Sequence, residues 1–253
     1  MQTVLITGSS SGIGYELSKL FLAEGYRLLL IARDDERLQK AAAQLRTDYQ
    51  GNIRAVAIDL SKPEASAELA RTLQNETISI LVNNAGFGDY GAFAESRLAK
   101  TTGMLELNVV TLSTLTRLVL PGMIERQAGK ILNVASVAGF LPGPFMAAYF
   151  ASKAYVVSFS TALREELRDT GVSVTCLCPG ATPTGFQQTA GYETPSTLSA
   201  SVLDAAAVAK QGFEGLKRGK DIVVPGFVNK AMVFASRFVS HAFAARAVRY
   251  WNS

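Results

Sequence analysis

Apolar residues follow two patterns along this chain. Short continuous runs rich in Val, Ile and Leu fall at 2–7, 27–32, 53–58, 78–82, 130–135, 172–178 and 222–224. Between most of them, at 13–24, 35–48, 64–75, 101–126 and 147–169, apolar positions recur three and four residues apart with polar ones between. The first pattern is that of strands and the second that of amphipathic helices. Runs such as Leu28-Leu29-Leu30-Ile31 are apolar on both sides, as strands covered on both faces are. Strands alternating with helices predict βαβ units, hence an α/β fold with a parallel sheet and helices on both faces. No linker, repeat or charge run divides the chain, so one domain is expected over 1–225, followed by an extension over 226–253.

Ligands of such sheets sit beyond the carboxyl ends of the strands. Six segments fall just past a strand run and should share one rim: Gly8 to Gly14, Arg33, Asp59, Asn84 to Gly86, Ser136 and Pro179-Gly180. In the first of them, Val4 to Ile6 leads into Gly8-Ser9-Ser10-Ser11-Gly12-Ile13-Gly14, after which Ile13, Leu17, Leu20 and Phe21 recur at helical spacing. Strand, glycine turn and helix together aim free N–H groups and the positive end of a helix dipole at a phosphate. Glycines at 8, 12 and 14 allow the tight turn and leave a pyrophosphate room to approach.

Tyr149 and Lys153 stand one helical turn apart in Ala148-Tyr149-Phe150-Ala151-Ser152-Lys153, thirteen residues after Ser136. On a helix they share a face. An adjacent ammonium favours phenolate and is expected to pull the tyrosine towards working pH, as a general acid/base for an alcohol or ketone requires. Asn108 is a polar residue within the apolar run Leu105 to Val110, where an amide is costly unless satisfied.

Thr7-Gly8-x-x-x-Gly12-Ile13-Gly14, Asn83-Asn84-Ala85-Gly86, Asn108, Ser136, Tyr149-x-x-x-Lys153 and Pro179-Gly180 occur in this order in one chain. The set resembles the short-chain dehydrogenase/reductase family in its single-domain form, over about residues 2–225. The resemblance implies a Rossmann-type doubly wound sheet of seven strands in the order 3-2-1-4-5-6-7. It also implies a nicotinamide cofactor held by Gly8, Ser10, Ser11, Gly12, Ile13, Gly14, Asp59, Leu60, Asn84, Ala85, Gly86, Tyr149, Lys153, Pro179, Gly180, Thr182 and Thr184. Tyr149 would donate the proton, Lys153 would lower its pKa and hold the nicotinamide ribose, and Ser136 would hold the substrate oxygen. Asn108 would break its helix and carry a water that links the lysine to solvent. Asp59 would meet the adenine amine, or else cap the helix near Pro63.

An acid closing strand two would select NAD; here the strand ends Ile31-Ala32-Arg33. The Arg33 guanidinium suits a 2′-phosphate, so NADP(H) is expected rather than NAD(H), although Asp34 and Asp35 follow. The expected activity is hydride transfer between a carbonyl and a secondary alcohol; a non-catalytic nucleotide-binding member of the fold is the alternative. Phe140, Leu141, Pro142, Phe145 and Phe186 bracket the catalytic residues and fit either an apolar substrate pocket or the core. The polar stretch Gly185 to Ser201 suits a lid over the substrate.

Composition narrows the rest. The net charge of +4 is too small for a nucleic-acid partner. Cys176 and Cys178 sit along one strand, poorly placed for a disulfide, and with the distant His241 they make no metal site. Met1-Gln2 leads straight into a strand with no secretory pattern, so a cytoplasmic location is expected. The extension carries Lys230, Arg237, Arg246 and Arg249 but no acid, with Phe234, Phe238 and Ala242 on one helical stripe. Such a helix can rest on an anionic membrane. The reading taken is that it packs on its own domain or a twin subunit of a homo-oligomer.

Overall fold

The computed structural model describes residues 1–191 and 202–252. Each apolar run forms a strand: β1 (Thr3–Thr7), β2 (Arg27–Ala32), β3 (Ile53–Ala57), β4 (Ile78–Asn83), β5 (Gly129–Val134), β6 (Val172–Leu177) and β7 (Ile222–Val223). They form one sheet in the order β3-β2-β1-β4-β5-β6-β7, with every pairing parallel.

Alternation along the strands assigns the helices to faces. Val4, Ile6, Leu28 and Leu30 point to one side, against α1 (Gly12–Ala23), α2 (Asp35–Tyr49) and α8 (Ala205–Lys217). Leu5, Leu29, Ile31 and Leu81 point to the other, against α3 (Ala65–Leu73), α5 (Leu112–Glu125) and α6 (Ala147–Glu166). Most of these leucines are fully buried, and each such side chain stabilises by about 1.5–3 kcal/mol. Both faces are covered, which makes the central strands a rigid base for the loops at their carboxyl ends. A buried amide chain stiffens the same region: Asn83 donates to Asn133 (2.9 Å) and Thr116 (3.0 Å), and Asn133 donates to Ser160 (2.9 Å).

Two elements depart from the sequence reading. The long run 101–126 is α4 (Leu98–Leu105), a π-helical turn (Glu106–Thr111) and α5. Leu98–Glu125 is long and apolar enough by composition to cross a membrane, but Leu112, Leu115, Val119 and Met123 bury one side of it in the core. Helix α8 was not among the helices expected, although Val208, Phe213 and Leu216 recur at helical spacing on its buried face; two glycines complete that face. Gly212 lies against Leu177 and Gly215 against Val223, so closely that a Cβ on either would clash. The Asp204 carboxylate caps it, accepting from the Ala207 N–H at 2.6 Å.

The extension is two helices, α9 (Phe227–Ala235) and α10 (His241–Asn252), separated by a short 3-10 turn (Ser236–Phe238). The expected continuous stripe is therefore broken. Asn229, Val233, Ala244 and Val248 are the buried positions, whereas Phe234 and Phe238 stack edge-on at 5.1 Å in the open.

Candidate active site

The β1–α1 turn is held from below by β4. Thr7 Oγ1 accepts from the N–H groups of Asn84 and Ala85, both at 3.0 Å. The Asn84 side-chain amide donates to the carbonyls of Thr7 (2.9 Å) and Gly8 (3.0 Å). Gly8 and Gly12 take φ of +67° and +57°, conformations that favour glycine. A side chain at Gly14 would strike the Gly8 carbonyl and the Asn84 amide, and one at Gly8 would reach Ala85 Cα at 2.9 Å. Room for a ligand is thus not the whole reason for the glycines; the turn packs on its own backbone. Ser11 at the N-cap of α1 makes no side-chain capping bond, and the first turn holds no acid. Its N–H groups and positive dipole face the cleft uncompensated by an anion, which fits a pyrophosphate.

Ala32, Arg33, Arg37, Asp59 and Leu60 line the next stretch of the cleft. Asp34 lines the same stretch, and both acids after Arg33 bond within α2. Asp34 caps α2, accepting from the Arg37 N–H at 3.1 Å, and pairs with the Arg37 guanidinium at 3.3 Å. Asp35 accepts from Gln39 at 3.0 Å. Asp59 caps no helix: its Oδ1 accepts from the N–H (3.1 Å) and hydroxyl (2.6 Å) of Ser61, and the helix beyond begins only at Ala65.

Beyond β5, Ser136 opens a short 3-10 turn (Val137–Phe140), accepting from the Ala138 N–H at 3.1 Å and donating to the Pro179 carbonyl at 3.3 Å. Helix α6 brings Tyr149 and Lys153 opposite it, both buried. Lys153 Nζ donates to the Val134 carbonyl at 3.0 Å and lies 5.9 Å from the Tyr149 ring centre. This geometry overturns one expectation. Burial pushes the Tyr149 phenol up to about 12, while the Ser136 hydroxyl pulls it back. The lysine, turned to a carbonyl, does not pull the phenol down. Burial lowers Lys153 itself to about 8.

Asn108 sits in the π-helical turn, almost fully buried. Its Nδ2 donates to the Phe87 carbonyl and to Ser152 Oγ, both at 3.0 Å, and its Oδ1 accepts from the Phe87 N–H at 3.3 Å. Ser152 in turn donates to the Tyr149 carbonyl at 2.7 Å. The amide is satisfied by protein at both ends, so Asn108 acts through Phe87 and Ser152 and positions the tyrosine's helix. A Cβ at Gly86 would approach Asn108 Oδ1 at 3.0 Å and Lys153 Nζ at 3.3 Å, which explains the glycine there.

These groups enclose a cleft of about 470 Å³, within the usual range for small-molecule sites. All the residues expected to catalyse or to hold a cofactor line it except Gly14 and Asn108. Of the five bracketing residues, Leu141 and Phe186 line it. Phe140 joins the core, and Phe145, at a strained φ of +66°, faces Tyr90 at 6.4 Å. Pro142 is also off the wall. Part of the expected lid is a packed helix, α7 (Gly185–Ala190), whose Phe186 ring sits 5.2 Å from that of Tyr149; residues 192–201 lie outside the described residues. Among the described residues no cluster of His, Cys, Asp and Glu could hold a metal.

The sequence reading missed Arg37, Phe87, Met146, Phe150, Met232 and Val248 on the wall. Arg37 stood one helical turn beyond Arg33 and could have been found. Met232 and Val248, which come from α9 and α10, left no local signal.

The family model described as short chain dehydrogenase matches residues 2–194. The very-long-chain 3-oxoacyl-CoA reductase of Phaeosphaeria nodorum is 36% identical over 179 residues, 68% of this chain and 52% of that protein. The chain thus spans about half the length of this relative and of a similar reductase from Pyrenophora tritici-repentis. A short-chain dehydrogenase from Sphingobium yanoikuyae in complex with NADPH is 31% identical with a TM-score of 0.82, over 97% of this chain and 99% of that one. One from Burkholderia phymatum in complex with NAD is 28% identical with a TM-score of 0.81, over 93% and 92%. With its sheet order, glycine turn and Ser136–Tyr149–Lys153 constellation, the chain belongs to the short-chain dehydrogenase/reductase family.

Proposed function

We propose that the protein is an NADP(H)-dependent oxidoreductase that interconverts a carbonyl and a secondary alcohol on an apolar small molecule. The observation that carries this reading is the buried Tyr149 phenol in the cleft, which shares its wall with Ser136 and with Lys153 one helical turn on. When bound, the dinucleotide supplies hydride to the carbonyl carbon or takes it back from the alcohol carbon.

The protein's own groups manage the oxygen. Ser136 and the Tyr149 hydroxyl hold the carbonyl oxygen, and Tyr149 gives it a proton. A phenol raised by burial keeps that proton at neutral pH, so the donor form is the one present before reduction. The phenolate left behind is stabilised by the Ser136 hydroxyl. Asn108, through Ser152, holds the turn of α6 that carries the tyrosine.

The preference for the 2′-phosphate is supported by Arg33 and Arg37 on the cleft wall, where Asp34 is paired with Arg37, and by Asp35 bonding Gln39. An apolar substrate is supported by Leu141, Met146, Phe150, Phe186, Met232 and Val248. A cytoplasmic location and a homo-oligomer complete the proposal. For the latter, Val110, Leu118 and Tyr155 are exposed apolar side chains on the π-helical turn, α5 and α6, and Ser113 bonds Tyr155 across the two helices at 2.9 Å.

The test is loss of NADPH absorbance with a panel of ketones spanning 3-oxoacyl thioesters, steroids and small diketones. Turnover is expected with at least one lipophilic member. Tight NADPH binding with no turnover on any would favour the non-catalytic alternative.

A further inference from the structure

The extension combines two features that neither the fold nor the cleft requires. Phe227, Phe234, Phe238, Phe243 and Tyr250 are between 62% and 84% exposed; elsewhere among the described residues only Phe93, at 64%, is an aromatic so open. The helical spacing groups them. Phe227 and Phe234 are two turns apart on α9, on the side away from the buried Asn229 and Val233. Phe243 and Tyr250 repeat that spacing on α10, away from the buried Ala244 and Val248. The charge is the second feature. Lys230, Arg237, Arg246 and Arg249 are exposed among these rings, and no Asp or Glu follows Asp221.

We propose that the outer side of α9 and α10 docks the protein on an anionic lipid bilayer. Exposed rings interspersed with unopposed cations match the headgroup level of a membrane, where acyl chains and phosphates lie within a few ångströms of each other. A second copy fits worse. A two-fold contact sets the same patch against itself, four cations against four, with no acid on either helix to relieve it. The buried side of the same helices supplies Met232 and Val248 to the cleft wall, so docking places the cleft's apolar end close to the bilayer. The inference stands on the surface and does not depend on the proposed reaction.

The full chain is sedimented with mixed phosphatidylcholine–phosphatidylglycerol vesicles and with pure phosphatidylcholine vesicles, at low and high salt. It should pellet with the anionic vesicles only, and less at high salt. Arg237→Gln and Arg249→Gln should each weaken partitioning about fivefold, and Phe234→Ser with Phe238→Ser at least about tenfold. Light scattering on the same variants should show an unchanged oligomeric state. All substituted residues are exposed and off the cleft wall, so retained NADPH binding serves as the check on folding. The proposal is overturned if the protein stays in the supernatant with both vesicles, or if pelleting is indifferent to these substitutions. It is also overturned if Phe234→Ser with Phe238→Ser dissociates an oligomer, which would assign the face to a second copy.

Discussion

Asn108→Leu removes a buried amide while keeping the branched outline of the side chain; its bulkier methyls add to the loss through packing. Three bonds go: two from Nδ2, to Phe87 O and Ser152 Oγ, and one into Oδ1 from Phe87 N–H. A buried group left without its partner costs about 1–3 kcal/mol. Phe87 is only half-buried and regains water in part, and Ser152 keeps its bond to the Tyr149 carbonyl. The sum is therefore about 2–4 kcal/mol. For a chain of this size each kcal/mol moves Tm by about 2–4 °C, so thermal unfolding followed by circular dichroism should fall by about 4–16 °C. Because Ser152 ties the amide to the turn carrying Tyr149, kcat should fall further than cofactor affinity does. A Tm within about 2 °C of wild type would mean that the amide bonds are replaced at no cost, and the positioning argument would fail.

Two further outcomes follow from the charged groups. Burial lowers Lys153 from 10.5 to about 8, so between these values the unfolded chain binds the extra proton and stability rises with pH. The penalty is fully present below pH 8. Lys153→Met removes it, so the variant's stability advantage should shrink as denaturation midpoints are measured from about pH 7 to about pH 10; a pH-independent difference would contradict the assignment. Tyr149, raised from 10.0 to about 12, acts in the opposite sense above pH 10, outside that window. At the nucleotide end, titration should give tighter binding of NADPH than NADH. Arg33→Ala should narrow the gap about tenfold, the lower end for a charge-assisted contact because the arginine is exposed. Equal affinities in the wild type would refute the assignment.

The architecture was legible because it rests on local patterns. Seven apolar runs became seven strands, and the residues just past six of them met on one rim. Asn108 could be singled out because an amide in an apolar run needs a reason, and its bonds to Phe87 and Ser152 supply one. What escaped depends on residues far apart in the chain. The acidity of Tyr149 is set by burial in a cluster that includes Met104, Phe87 and Phe186, none of which its neighbours in sequence announce. Helix α8 was passed over because Gly212 and Gly215, poor helix formers, interrupt the stripe of Val208, Phe213 and Leu216. Phe140 and Phe145 flank the catalytic helix in sequence yet point away from the cleft. The tail's apolar stripe was drawn on a continuous helix; the extended Val239 cuts Ala242 off from Phe234 and Phe238, which stay together and exposed.

Tyr149→Phe tests the central claim most directly, since it deletes one hydroxyl and keeps the ring between Phe150 and Phe186. With a ketone that the wild type reduces, the variant should still quench on NADPH binding with near-unchanged affinity. Its kcat should fall at least about 100-fold, the lower end of what a general acid contributes. Turnover close to wild type, with binding intact, would show that the proton comes from elsewhere and contradict the account.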